Sequence, residues 1–172
     1  QSFEKEIADL YVLHGNGDLQ NSKYRDVGQF FARLTYGQWD PSGPAVIVTG
    51  LMPRYVFDLR SMVLGDQMLS YFDDQFGFYD RLPLSIRAKT QVRLYSSTND
   101  YGWNVKQRWL DRFRKVQFDE GQLSLKRKAR QCRILISTYN ATTYHESLAA
   151  NIPTVIFWDT RYWEWPDFAQ VD

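Results

Sequence analysis

The sequence predicts an α/β fold, a parallel sheet with helices on both faces, and three observations carry that prediction. Short apolar, β-branched runs recur along the chain: AVIVT at Ala45 to Thr49, TQVRLY at Thr90 to Tyr95, VQF at Val116 to Phe118, CRILI at Cys132 to Ile136, and a last run closing at Trp158. Such runs read as strands buried on both faces. Segments of helical period separate them, and the order β, α, β, α, β, α, β, α, β from residue 45 to 158 predicts right-handed crossovers between parallel strands. Finally, polar residues gather where strands end, above all in the STYNATT turn after Ile136. The pattern is Rossmann-like, and in such sheets ligands sit outside the carboxyl ends of the strands.

Element by element, Phe3, Ile7, Leu10 and Tyr11 repeat at helical spacing and predict an amphipathic helix over residues 2–13, ended by the Gly15 and Gly17 turn. A second helix is expected from Tyr24 to Leu34, then a loop through Asp40, Pro41, Ser42, Gly43 and Pro44. Gly50 closes the first strand of the sheet. Met68, Tyr71, Phe72, Phe76 and Tyr79 mark one face of a long helix that Pro83 terminates. Asn104 to Lys115 is the next helix, with Val105, Trp109 and Phe113 inward, and Gln122 to Gln131 is a basic helix leading into Cys132. Asn140 or Thr142 can cap a helix from Ala141 to Ala150, Asn151 suits the left-handed position beyond it, and Pro153 bars continuation. The division expected is residues 1–43 as a helical connection and 44–172 as the sheet domain.

Composition bounds the function. With 172 residues, 44% of them hydrophobic, one core is expected rather than two. A net charge of +1 gives no global field that favours nucleic acid or an anionic membrane surface. No apolar run approaches the roughly 20 residues that span a bilayer. The single cysteine, Cys132, rules out an internal disulfide and points to a reducing compartment, so a cytoplasmic location is expected, with peripheral association at the inner face of the membrane compatible with it. His14 and His145 have no ligand spacing to a second histidine or cysteine, so no zinc site is expected, and with a helix dipole and an arginine to take the part of Mg²⁺ no metal or other cofactor is expected either. Gln1 in place of an initiator methionine, and the uncapped aromatic run RYWEWPDFAQVD, lead to the expectation of a fragment of a larger enzyme.

Two polar clusters are candidate sites. In the first, Ser137, Thr138, Asn140, Thr142 and Thr143 set short hydroxyl and amide groups beside the free N–H groups of a helix start, a combination suited to phosphate or ribose oxygens. Thr143 and Glu146 also stand in T-x-x-E spacing, so a capping box accounts for them equally well. Glu146 shares a helix face with Thr142 and Thr143 and could accept bonds from a ribose diol. The second cluster, VRLYSSTNDYGWNVKQRW, holds Arg93 within a strand, then Tyr95, Ser96, Ser97, Asp100, Tyr101, Gly102 and Trp103. A charge in a strand needs an ion-pair partner or a ligand, and both remain open for Arg93. Neighbouring parallel strands would bring the two clusters to one edge. The basic run Lys126, Arg127, Lys128, Arg130 and Arg133 reads as a solvated face, with too few aromatics for a nucleic-acid site. The Trp and Tyr group at 158–165 fits a core, a sugar-stacking platform or an interface.

The ESLAANIP segment, Glu146 to Pro153, resembles the donor-site signature of GT-B glycosyltransferases, which are built from two Rossmann-like lobes; Asn151 stands where glycine is usual. MLSYFDDQF, VRLYSSTNDYGWNVKQRW and ISTYNATTYHESLAANIPTVIFWDTRYWEW are similar to a bacterial transferase family of surface-polysaccharide loci, over about residues 50–165. A more distant resemblance reaches sialyltransferase-like and Kdo transferases that use CMP-sugars, although VRLYSS lacks the strand-end His-Pro of those enzymes.

The resemblance implies the C-terminal donor-binding lobe of such an enzyme. A nucleotide-sugar and a glycan acceptor would be its partners, together with an N-terminal lobe that supplies the general base. It further implies that Ser137, Tyr139, Asn140, Thr142 and Thr143 hold phosphate and nucleotide, that Glu146 holds the ribose, and that Arg93 and Tyr95 stabilise the leaving group. A nucleotide-sugar epimerase and a non-catalytic interaction module are the alternatives.

Overall fold

The computed structural model describes residues 6–13, 22–27, 39–55, 63–95 and 100–163. In chain order the elements are β1 (Tyr11–Leu13), β2 (Tyr24–Asp26), β3 (Ala45–Val48), α1 (Gln67–Arg81), α2 (Leu84–Arg87), β4 (Thr90–Arg93), α3 (Val105–Arg112), β5 (Gln117–Phe118), α4 (Leu125–Arg130), β6 (Ile134–Ser137), α5 (Thr142–Ala149) and β7 (Thr154–Ile156), with a 3₁₀ turn at Thr160–Tyr162. The N-terminal region corrects the sequence reading. Only Glu6 and Ile7 are helical among the described residues of 2–13, and Tyr11–Leu13 pairs in parallel with Tyr24–Asp26, where a second helix was expected to begin. A three-residue strand is too short to show a period, and its partner lies 13 positions away (Tyr11↔Tyr24), so pairing outweighs the local helical spacing. The Gly15 and Gly17 turn and residues 28–34 of the expected second helix lie outside the described residues.

The five strands of the main sheet are all parallel, in the order β5-β4-β3-β6-β7. From β3 the chain steps outward to β4 and β5, then returns across β3 to β6 and β7. The order therefore reverses between β3 and β6, and at such a switch point the two outgoing loops diverge and leave a crevice. All four residues of β3 are buried, as its central position requires. Register puts Ala45, Ile47, Thr90, Val92, Ile134 and Ile136 on one face, and Val46, Val48, Gln91, Arg93, Leu135 and Ser137 on the other.

Each face has its own helices. α1 buries Met68, Tyr71, Phe72, Gln75, Phe76 and Tyr79, the i, i+3, i+4 stripe read from the sequence. Its rings lock onto α3 through edge-on contacts, Phe76 to Trp109 at 4.9 Å and Tyr79 to Trp109 at 5.5 Å. Such geometry favours aromatic pairs by about 0.5–1.5 kcal/mol each beyond the area they bury. On the opposite face Lys128 of α4 reaches Gln91 Oε1 at 2.7 Å, and α4 and α5 enclose Leu135. Asn151 takes the left-handed conformation (φ 55°) after α5, as its position before Ile152-Pro153 suggested.

Candidate functional site

The carboxyl ends of β3, β4 and β5 open into a cavity of about 620 Å³, bounded by Thr49, Gly50, Arg93, Tyr95, Asp119 and Tyr139 and by the first turn of α3. Val48 pairs laterally with Arg93 on one side and with Ser137 on the other. Two strand spacings, about 10 Å, therefore separate the ends of the two polar clusters, which lie on one margin of the sheet.

At the switch point a directional hydrogen-bond chain ties the strand ends together. Gly50 N–H donates to the Tyr71 hydroxyl at 2.7 Å, Tyr71 contacts Thr138 Oγ1 at 2.7 Å, and Thr138 donates to the Val48 carbonyl at 2.9 Å. With both ends of the chain fixed, Tyr71 accepts from the amide and donates to Thr138. Burial raises the Tyr71 phenol well above its ordinary pKa, and the bonds to Thr138 and Gly50 act in the opposite direction. Tyr139 lies over Gly50 so closely that a Cβ at position 50 would stand 3.0 Å from its ring. Its hydroxyl meets Thr143 Oγ1 at 2.8 Å, so the ring forms a wall between the cavity and the start of α5. Burial raises the Tyr139 phenol too; the Thr143 bond lowers it, the Tyr95 and Glu146 charges raise it, and Arg93 lowers it.

The sequence-derived candidates divide into three groups. Arg93, Tyr95 and Tyr139 line the cavity. Arg93, however, forms an ion pair with Asp119 at 2.8 Å and donates to the Leu123 carbonyl at 2.9 Å, with only 15% of its side chain exposed. The internal partner left open by the sequence exists. Ser137 and Thr143 are buried and internally bonded, Ser137 to the Tyr139 carbonyl and Thr143 to the Tyr139 hydroxyl, while Asn140 Oδ1 accepts from Tyr144. Thr142 is exposed, and among the described residues neither its hydroxyl nor the half-buried Glu146 carboxylate has a hydrogen-bond or ion-pair partner. Glu146 faces a separate small cleft beside Lys126 rather than the main cavity.

Two local expectations are corrected here. The helix begins at Thr142 with Ala141 as N-cap and has no side-chain cap, so neither Asn140 nor Thr142 caps it. The capping box does not form either, because Thr143 lies inside the helix and turns its hydroxyl to Tyr139. The first-turn amides of α5 are consequently left without a side-chain acceptor.

Charges on the cavity wall are largely matched. Arg93 faces Asp119, and Lys106 pairs with Glu120 at 2.8 Å, while Asp100 accepts from the Gly102 amide. Carboxylates that line a pocket accept bonds from sugar or ribose hydroxyls, whereas the uncapped helix start attracts an anion. Among the described residues no three or more His, Cys, Asp or Glu side chains gather as metal ligands would. Ser96 and Ser97 lie outside the described residues. Trp103 is structural, buried with its indole N–H donating to the Met52 carbonyl at 2.8 Å. In the aromatic tail Trp163 is buried and Trp158 packs near it at 6.2 Å, so these rings join the core; residues 164 and 165 lie outside the described residues.

Sequence reasoning missed Thr49, Gly50, Tyr71 and Asp119. Thr49 Oγ1 receives the Tyr95 amide at 3.3 Å and bridges the ends of β3 and β4. The Thr49-Gly50 pair was visible as a strand end; it required the topology to show that this end borders the switch point. Tyr71 reads as one more apolar residue on a helix face, and Asp119 carries no local signal for a partner 26 residues away.

Compared with known families, the chain matches the profile of a family described as LIC12162 family transferase over residues 1–171. The chain belongs to that family and is a transferase. No curated protein and no solved structure matches it.

Proposed function

We propose, from the premise that the chain is a LIC12162 family transferase, that it is the donor-binding part of a GT-B glycosyltransferase, transferring a sugar from a nucleotide-sugar to a surface-polysaccharide acceptor. The observation that carries this reading is the common margin: a cavity of about 620 Å³ and an uncapped helix start flank Tyr139 at the switch point of a doubly wound sheet. Phosphate would lie against the Thr142 and Thr143 amides and the Thr142 hydroxyl, where the helix dipole favours an anion. The polyol part of the donor would enter the cavity, its hydroxyls donating to the carboxylates there.

In this reading the bond between the anomeric carbon and the phosphate oxygen breaks, and the nucleotide leaves with the electron pair. The α5 dipole offsets the charge that develops, while Arg93, held by Asp119 on the cavity side of Tyr139, adds to that field only at longer range. The acceptor oxygen forms the new bond and yields its proton to a base from another lobe. Glu146, one helical turn after Thr142, fixes the ribose. No metal is called for in this scheme, and a CMP-sugar such as CMP-Kdo is the donor favoured by the likeness to Kdo transferases.

Calorimetry with CMP, UDP and GDP tests the proposal. Thr142→Ala and Glu146→Gln are the decisive variants, since neither side chain has a partner among the described residues and both should fold normally. Each should weaken the preferred nucleotide about tenfold, the value of one hydrogen bond to a charged group. Equal affinity in parent and variants, or no affinity for any of the three, refutes the reading.

A further inference from the structure

The margin opposite the cavity, where the parallel strands begin, has a different chemistry. Hydrogen bonds knit it into one seam: Ala45 N–H to the Lys89 carbonyl at 3.0 Å, Arg133 N–H to the Pro44 carbonyl at 2.9 Å, Gln117 Nε2 to the Ala88 carbonyl at 3.2 Å, and Trp39 Nε1 to the Arg133 carbonyl at 2.6 Å. Lys89 and Arg133 lie along this seam, Arg112 ends α3, and Arg114 and Lys115 lie in the α3 to β5 connection that enters it. All five are exposed, and none has a side-chain partner among the described residues. The carboxylates nearby are engaged, Asp40 with Ser42, Asp80 with Arg87 and Asp111 with Gln107. The net charge of +1 therefore conceals a local excess: these cations stand unpaired among the described residues on this margin, whereas on the cavity margin Arg93 and Lys106 answer Asp119 and Glu120.

Apolar groups stand among these cations. Leu84 is 78% exposed and Ile86 37% in the short helix α2, between Arg81 and Lys89, and Trp39 is 43% exposed. Exposed aliphatics next to unpaired cations have no role on a nucleic acid, which rewards stacking rings and phosphate contacts. They suit an anionic bilayer, where leucine and isoleucine enter the headgroup region, an indole lies at the interface and cations meet lipid phosphates. We propose that this amino-end margin is the surface by which the protein rests on an anionic membrane, with the ligand cavity facing away from the lipid. The inference is independent of which nucleotide the cavity takes.

Co-sedimentation of the chain with phosphatidylcholine vesicles, with and without about 30 mol % phosphatidylglycerol, tests it. The chain should sediment with the anionic vesicles alone and detach as salt rises, because screening shortens the reach of the cations. Arg114→Gln with Lys115→Gln should lower the partition coefficient about 20-fold, and Leu84→Ser with Ile86→Ser about fivefold to tenfold. All four positions are exposed, so unchanged thermal unfolding should accompany both losses. Absence of sedimentation, equal sedimentation with neutral lipid, indifference to both variant pairs, or binding to duplex DNA in place of vesicles overturns the proposal.

Discussion

Replacing Tyr71 by phenylalanine removes one oxygen from the centre of the switch point and leaves the shape of the core intact. Gly50 N–H loses its acceptor and Thr138 loses a donor, while Thr138 keeps its own bond to the Val48 carbonyl. Gly50 and Thr138 are both buried, so water cannot take over either role without opening the site. An orphaned buried amide costs about 1–3 kcal/mol and the lost bond to Thr138 about 1 kcal/mol more, giving roughly 2–4 kcal/mol in total. With a urea m-value of about 1–3 kcal/mol/M, the unfolding midpoint should fall by about 1–2 M at an unchanged slope. A second signature comes from pH. The folded phenol is held well above its ordinary value, and the unfolded one ionises near about pH 10. The stability it contributes is complete below that pH and is lost as pH rises toward the folded pKa, so Tyr71→Phe should show a shallower alkaline decline than the parent. A variant within about 0.5 kcal/mol of the parent with the same alkaline slope would refute the hydrogen-bond chain, since that difference is no larger than a neutral surface substitution.

Three further expectations follow, two from packing and one from titration. Gly50→Ala places a methyl group 3.0 Å from the Tyr139 ring, which should cost about 1–3 kcal/mol and weaken nucleotide binding by moving Tyr139 off Thr143. Gly43→Ala meets the Gln131 carbonyl oxygen at 2.1 Å, backbone against backbone, and should cost about 3 kcal/mol or more in the same urea titration. Burial pushes the Cys132 thiol up to about 11, with Lys128 opposing. Its contribution is present below about pH 8.5, the unfolded value, and is lost as pH climbs toward 11. Cys132→Ala should flatten the stability profile in that window, and the native thiol should resist a thiol reagent at neutral pH that labels it in urea.

Most of the sheet was legible in advance because buried parallel strands carry their signal locally. Central strands are apolar on both faces, and β3 and β6 stand out for that reason. The stripe of α1, the inward Val105 and Trp109 of α3, and the left-handed Asn151 likewise depend on spacing within one element. β1 and β2 were unreadable because each is three residues long and is defined by its partner. The polar turn after β6 was legible as a strand end, yet the bonding of its members was not. Whether Ser137 and Thr143 present hydroxyls or bury them depends on where Tyr139 lies, and Tyr139 packs against Gly50, in the loop after β3, where a side chain would collide with its ring.

The amino-acid order alone therefore determined the class of fold, the succession of strands and helices, and the margin on which polar groups collect, since periodicity and turn chemistry act between near neighbours. Only the tertiary structure decided that β3 borders β6, that Arg93 answers Asp119, that Tyr71 closes a hydrogen-bond chain, and that unpaired cations and exposed aliphatics share the opposite margin. Those facts join residues from about 20 to 90 positions apart, and contacts at such separation are set by how elements stack, for which no local pattern in the chain carries a signature.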